Sequence, residues 1–81
     1  MSTPAPMMWD AFVEMAVKDG WQMPTTANDN VKRKTDNGFE LVIWNDCDLY
    51  GDHGQIALCL SYELAYAAAN AVAEAVGGWR A

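Results

Sequence analysis

The stretch from Ser61 to Gly77, Ser61-Tyr62-Glu63-Leu64-Ala65-Tyr66-Ala67-Ala68-Ala69-Asn70-Ala71-Val72-Ala73-Glu74-Ala75-Val76-Gly77, constrains the fold more than any other part of the chain. Its spacing predicts a helix with both ends marked. The Ser61 hydroxyl can accept an orphan backbone N–H of the first turn. Gly77 can take the left-handed conformation that ends a helix. At 100° per residue, Leu64, Ala65, Ala68, Ala69, Ala71, Val72, Ala75 and Val76 form a broad apolar face, with Glu63, Asn70 and Glu74 on the opposite stripe. An apolar face made mostly of alanine lets a sheet approach closely, so the helix is expected to lie flat on strands.

The rest of the chain supplies those strands and a second helix. Residues 1–6 carry two prolines and are expected to be a disordered leader, with residues 7–79 forming a single domain. Met7 to Asp19 has helical spacing, with Met8, Trp9, Phe12, Met15 and Ala16 on one face and Gly20 at its end. Pro24 disfavours helical geometry at Met23, so Trp21 is expected to fold back as an anchor. Asp36-Asn37-Gly38 predicts a three-residue hairpin loop with Gly38 in the left-handed position. That register sets Thr35 opposite Phe39, Lys34 opposite Glu40 and Val31 opposite Ile43. An edge strand at Asn30–Thr35 and a strand at Phe39–Asn45 follow. Asn45–Gly54 reads as a long acidic loop, and Gln55–Ser61 as a third strand with Ile56, Leu58 and Leu60 on its inner face. Trp79 is placed back on the core. The expected class is α+β: helix, three-stranded antiparallel sheet, helix (αβββα), with both helices on one sheet face. The other face would carry Glu40, Val42, Trp44, Ala57 and Cys59, where Trp44 reads either as a half-exposed packing residue or as a contact.

Charge narrows the function. The formal net charge is −6, and no Lys or Arg occurs between Lys34 and Arg80. Direct nucleic-acid binding and attachment to an anionic membrane are disfavoured, because phosphate groups need cations. A solvated acidic face and an electrostatic docking surface for a basic partner both fit. Nothing resembles a secretion signal, so the expectation is a cytoplasmic protein in a bacterial host, with Cys47 and Cys59 as free thiols.

No constellation completes a chemical site. Asp46, Asp48 and Gly51 match positions 1, 3 and 6 of a calcium loop, but Tyr50 and Ala57 stand where further oxygen ligands belong. Cys47, His53 and Cys59 are three ligands where structural zinc takes four. A Cys47–His53 nucleophile lacks an identifiable oxyanion element or orienting group. The chain reads as non-enzymatic, with no cofactor and no metal.

Two resemblances add to this. The element order, the run Lys18-Asp19-Gly20-Trp21-Gln22-Met23-Pro24 and the Ala-rich last helix resemble the double-stranded-RNA-binding domain. That family grips phosphates with lysines at the start of its last helix, where this chain has Ser61-Tyr62-Glu63-Leu64, so the resemblance implies the fold without the RNA grip. In size, acidity and lack of an enzyme signature, with Asp46, Asp48, Asp52 and Glu63, the chain also resembles phage anti-CRISPR-type inhibitors. This resemblance implies a nucleic-acid mimic that occupies a basic nucleic-acid-binding surface of a CRISPR effector. An antitoxin-like regulatory subunit, or a degenerate RNA-binding-type domain used for protein contacts, are alternatives. The candidate partner contacts are Trp44, Asp46, Asp48, Tyr50, Asp52 and Glu63.

Overall fold

The computed structural model describes residues 7–81, so the expected leader over residues 1–6 lies outside the described residues. Helix α1 (Trp9–Lys18) is followed by strands β1 (Asn30–Lys34), β2 (Glu40–Trp44), β3 (Leu49–Gly51) and β4 (Gly54–Ala57), and then by helix α2 (Tyr62–Ala75). The strands form an antiparallel meander in the order β1-β2-β3-β4. The class is α+β, with four strands where the sequence predicts three. The extra strand, β3, lies inside the stretch read as an acidic loop over Asn45–Gly54.

The first hairpin has the expected register: Val31 faces Ile43 and Lys34 faces Glu40. Thr35 N–H donates to the Phe39 carbonyl at 2.9 Å and Gly38 N–H to the Thr35 carbonyl at 2.9 Å, with Gly38 at φ +89°. On the inner face, Val31, Ile43 and Leu49 lie side by side across three strands and are fully buried. Leu41 joins them, and Phe12 and Ala16 of α1 and Ala65, Ala69 and Ala73 of α2 complete the core.

Helix α2 is capped as its sequence implies. Ser61 Oγ accepts from Leu64 N–H at 3.1 Å. At the far end, Gly78 N–H reaches the Ala73 carbonyl at 2.7 Å and Gly77 N–H the Glu74 carbonyl at 3.3 Å, the paired bonds of a Schellman motif with Gly77 left-handed. The buried stripe is rotated from the expected one. It runs through Ala65, Ala69 and Ala73, while Leu64, Ala71 and Ala75 face outward. With alanine on nearly every side, residue size gives the helix little rotational preference. The aromatic contacts of Tyr62 and Tyr66 set it instead: Tyr62 stacks on Phe12 at 5.0 Å, and Tyr66 meets Phe12 edge-on at 5.8 Å. In α1, Phe12 and Ala16 are buried as expected, but Met8 is the N-cap residue and lies exposed.

The Gln55–Ser61 strand also needs correction. Leu49 pairs with Ala57 and Tyr50 with Gln55, which leaves Ile56 as the extra residue of a bulge. A one-residue shift inverts the alternation beyond it. Ile56 stays beside Phe39, over the space left by Gly51. Ala57 and Cys59 pack against the core rather than facing away from it, and Leu58 (76% exposed) and Leu60 (95%) face solvent.

The chain after α2 closes the sheet along β1. Trp79 bridges to Thr35, Asp36 N–H donates to the Gly78 carbonyl at 2.9 Å, and Arg80 N–H to the Lys34 carbonyl at 3.0 Å. Gln22 N–H takes the Lys32 carbonyl at 2.7 Å. Trp21 and Trp79 both fold back, with ring centroids 5.1 Å apart, and the Arg33 guanidinium lies 4.6 Å over the Trp79 ring. The Trp79 indole N–H donates to Asn70 Oδ1 at 2.9 Å.

Two consequences can be measured. Ala69 sits against the sheet with no exposed surface. Ala69→Leu should therefore overpack the helix–sheet layer and lower stability by about 1–3 kcal/mol in urea unfolding, whereas the same change at exposed Ala71 should be nearly neutral. The Tyr66 hydroxyl donates to Asp19 Oδ2, tying α2 to the end of α1. Burial, then the Asp19 hydrogen bond and charge, push the Tyr66 phenol from an ordinary 10.0 up to about 12. The buried Trp21 indole N–H, which lacks a well-aligned acceptor, leans on the phenol oxygen and offsets part of that shift. The folded state holds the proton more tightly than the unfolded chain. The contribution is therefore complete below pH 10 and lost as the pH climbs toward 12. Thermal midpoints of Tyr66→Phe should fall less over that window than those of the parent.

Candidate functional site

The candidate residues hang on the turn between β2 and β3. Its geometry repeats that of the first hairpin. Cys47 N–H donates to the Trp44 carbonyl at 3.0 Å and Trp44 N–H to the Asp48 carbonyl at 3.0 Å. The third loop residue, Cys47, holds φ +73°, the place that Gly38 fills in the first loop. Asp46 Oδ1 accepts from Asp48 N–H at 3.1 Å, closing an Asx turn. From below, the Tyr62 hydroxyl donates to the Asn45 carbonyl, so the start of α2 holds the turn in place.

This brings part of the expected site together. Trp44, Tyr50 and Asp46 line one depression of about 430 Å³ on the outer sheet face, with Val42, Lys32 and Asn30. Cross-strand pairing explains the grouping: Val42 stands between Lys32 and Tyr50, and Trp44 faces Asn30. Asp48 shares the turn with Asp46. Loss of water around it, then the Asp46 charge and hydrogen bond, push the Asp48 carboxyl above its ordinary range. The Glu63 charge reaches the same turn. Burial first, then Asp46, Cys59, Glu63 and Asp48, raise the Cys47 thiol. That thiol is held protonated, the opposite of an activated nucleophile.

Asp52 does not join the group. It lies in the β3–β4 turn, across β3 from the β2–β3 turn, where its Oδ2 accepts from Glu40 N–H at 3.3 Å. The single acidic loop expected over Asn45–Gly54 is therefore two separate turns on either side of β3. His53 shares the Asp52 turn, with its ring 6.5 Å from that of Phe39, so Cys47 and His53 stand at opposite ends of β3. Both cysteines are free thiols. Among the described residues, no group of three His, Cys, Asp or Glu side chains is placed to hold a metal ion. No helix among them is long and apolar enough to cross a membrane.

A feature not foreseen from the sequence is the clustering of cations. Lys32, Arg33, Lys34 and Arg80, four of the five Lys and Arg residues, line a groove of about 480 Å³ beside β1. The Lys32-Arg33-Lys34 run is visible in the sequence, but the return of Arg80 to it depends on the tail pairing with β1. In comparisons with known proteins, the chain matches no family model, no curated protein and no solved structure.

The strained position gives a direct test. Cβ crowding in the left-handed region costs an ordinary residue roughly 1–2 kcal/mol, part of which glycine's greater entropy loss takes back. Cys47→Gly should therefore stabilise the fold by about 0.5–1 kcal/mol, read as a higher urea midpoint at unchanged slope. Cys47→Val, branched at Cβ, should lower the midpoint.

Proposed function

We propose that this chain is a non-enzymatic interaction protein. Its outer sheet face docks on a basic, nucleic-acid-binding surface of a bacterial defence effector, in the manner of an anti-CRISPR-type inhibitor. The observation that carries the reading is the union of Trp44 and Tyr50 with the acidic turn at one edge of an uncovered sheet face. Half-buried aromatics supply rigid contact area at low entropic cost. Asp46 and Asp48 supply two carboxylates on one turn, and the Glu63 charge is felt at Cys47 between them; loss of water and then the Asp46 charge raise the Asp48 carboxyl, and a cationic partner offsets that repulsion. Lys32 lines that depression too, but Arg33, Lys34 and Arg80 lie along β1, so most of the positive charge is set apart from the turn and a basic partner can orient on one side.

The turn hydrogen bonds choose the variant. Asp46 holds the Asx turn and Asp52 caps Glu40 N–H, so both have structural work. The Asp48 side chain is the better probe, because its own backbone N–H keeps the turn bonded when the carboxylate is replaced. In a competition assay with CRISPR effector ribonucleoproteins, the parent should block target nucleic acid from binding, and more weakly as salt rises. Asp48→Lys combined with Trp44→Ala should cost about 1–3 kcal/mol of affinity while preserving the circular dichroism spectrum. Equal competition by the variant, or tight binding of duplex RNA by the parent alone, would refute the reading.

A further inference from the structure

The two edges of the sheet are treated differently. Along β1, the Lys32 and Lys34 carbonyls are taken by Gln22 and Arg80. Along β4, among the described residues, no other strand or tail pairs with the outer edge, and α2 packs over β2 and β3 instead. Natural sheets guard an open edge with charge, proline, a covering element, a short strand or a bulge, and of these β4 has its short length and the bulge at Ile56. Here Gly54 to Tyr62 carries neither charge nor proline, in a chain of net charge −6. The same stretch displays Ile56 (41% exposed), Leu58 (76%) and Leu60 (95%), with Leu64 (54%) on the first turn of α2.

We infer that the β4 edge is the interface of a symmetric homodimer, in which residues 55–61 of two copies, the end of β4 and the chain leading into α2, pair antiparallel across a twofold axis at Leu58. Three features of the sequence and structure specify a second copy as the occupant. An antiparallel edge pair is isologous, so one self-complementary strand meets all its own needs. Centring on Leu58 sets Ile56 opposite Leu60 of the second copy and brings the two flanking ionisable groups, His53 and Glu63 of opposite copies, toward each other at each end. Two chains of like net charge can approach where neither carries any. The third is apolar surface: Ile56, Leu58, Leu60 and Leu64 lie bare along this side of each copy, and the paired backbones add to the area they would bury toward the ~800 Å² per partner of a standard interface.

The bulge at Ile56 is what creates this surface, by turning Leu58 and Leu60 away from the core. Pairing leaves the outer face around Trp44 and Tyr50 uncovered, and Glu63 is the one residue that the dimer and the proposed docking surface share.

Sedimentation velocity from low- to high-micromolar protein should show a species of twice the 8.9 kDa chain mass. Hydrogen exchange should show residues 55–60 gaining protection as concentration rises. Leu58→Lys sets two like charges against each other at the axis and should weaken association at least about tenfold. Leu58→Met should retain it. Since Leu58 and Leu60 are exposed in the single chain, the monomeric variant should keep its circular dichroism spectrum; Leu60→Lys provides the same reading should Leu58→Lys misfold. A monomer at every concentration overturns the inference, as does a dimer that ignores both lysine variants or shows no protection at 55–60.

Discussion

The close approach of α2 to the sheet is the constraint on which the rest of this structure depends. Ala65, Ala69 and Ala73 bring the helix backbone down over Leu41, Ile43 and Leu49, and that closeness lets a core with few large side chains exclude water. Small residues make the layer thin, and a thin layer needs lateral support. Tyr62 and Tyr66 provide it, each with its ring against Phe12 and its hydroxyl tied to a neighbouring element. The same tyrosines fix which side of an otherwise featureless helix faces inward. A polar bond and an aromatic stack thus do the orienting that leucines do in larger helices.

How far the fold could be read in advance depended on where glycine stands. The first hairpin was legible because Gly38 occupies its left-handed position, and the register of Val31 with Ile43 followed from that one residue. The second hairpin has the same loop geometry with Cys47 in that position, so no glycine announces it and the stretch that holds β3 reads as loop. The inversion at Leu58 and Leu60 was hidden for a different reason. A bulge leaves no compositional mark in Gln55-Ile56-Ala57, and alternation alone reads straight through it. Both caps of α2 were legible, because capping chemistry is local; its buried stripe was not, because that is decided by partners distant in sequence.

The candidate site divides along the same line. Asp46 and Asp48 share one turn, and the Glu63 charge is felt there because the start of α2 is bonded to that turn. Trp44 and Tyr50 meet through strand pairing that required β3 to exist. Asp52 parts from them for the same reason, since a strand where a loop was expected carries it to the far turn. Charge segregation is likewise a product of topology, because Arg80 reaches the lysines of β1 only after the whole sheet and α2 have been traversed.

That return of the chain to β1 has a consequence for higher-order assembly. An antiparallel sheet with two bare sides is a monomer unit for a fibre, since each added copy presents a new growing end. Gln22 and the 78–80 segment occupy the Lys32 and Lys34 carbonyls and so act as a chain terminator on one side. Growth through β4 then stops at a closed pair. Proteolytic trimming of residues 78–81 would remove part of the terminator and leave a molecule with two sticky sides, turning a self-limited particle into the seed of a polymer.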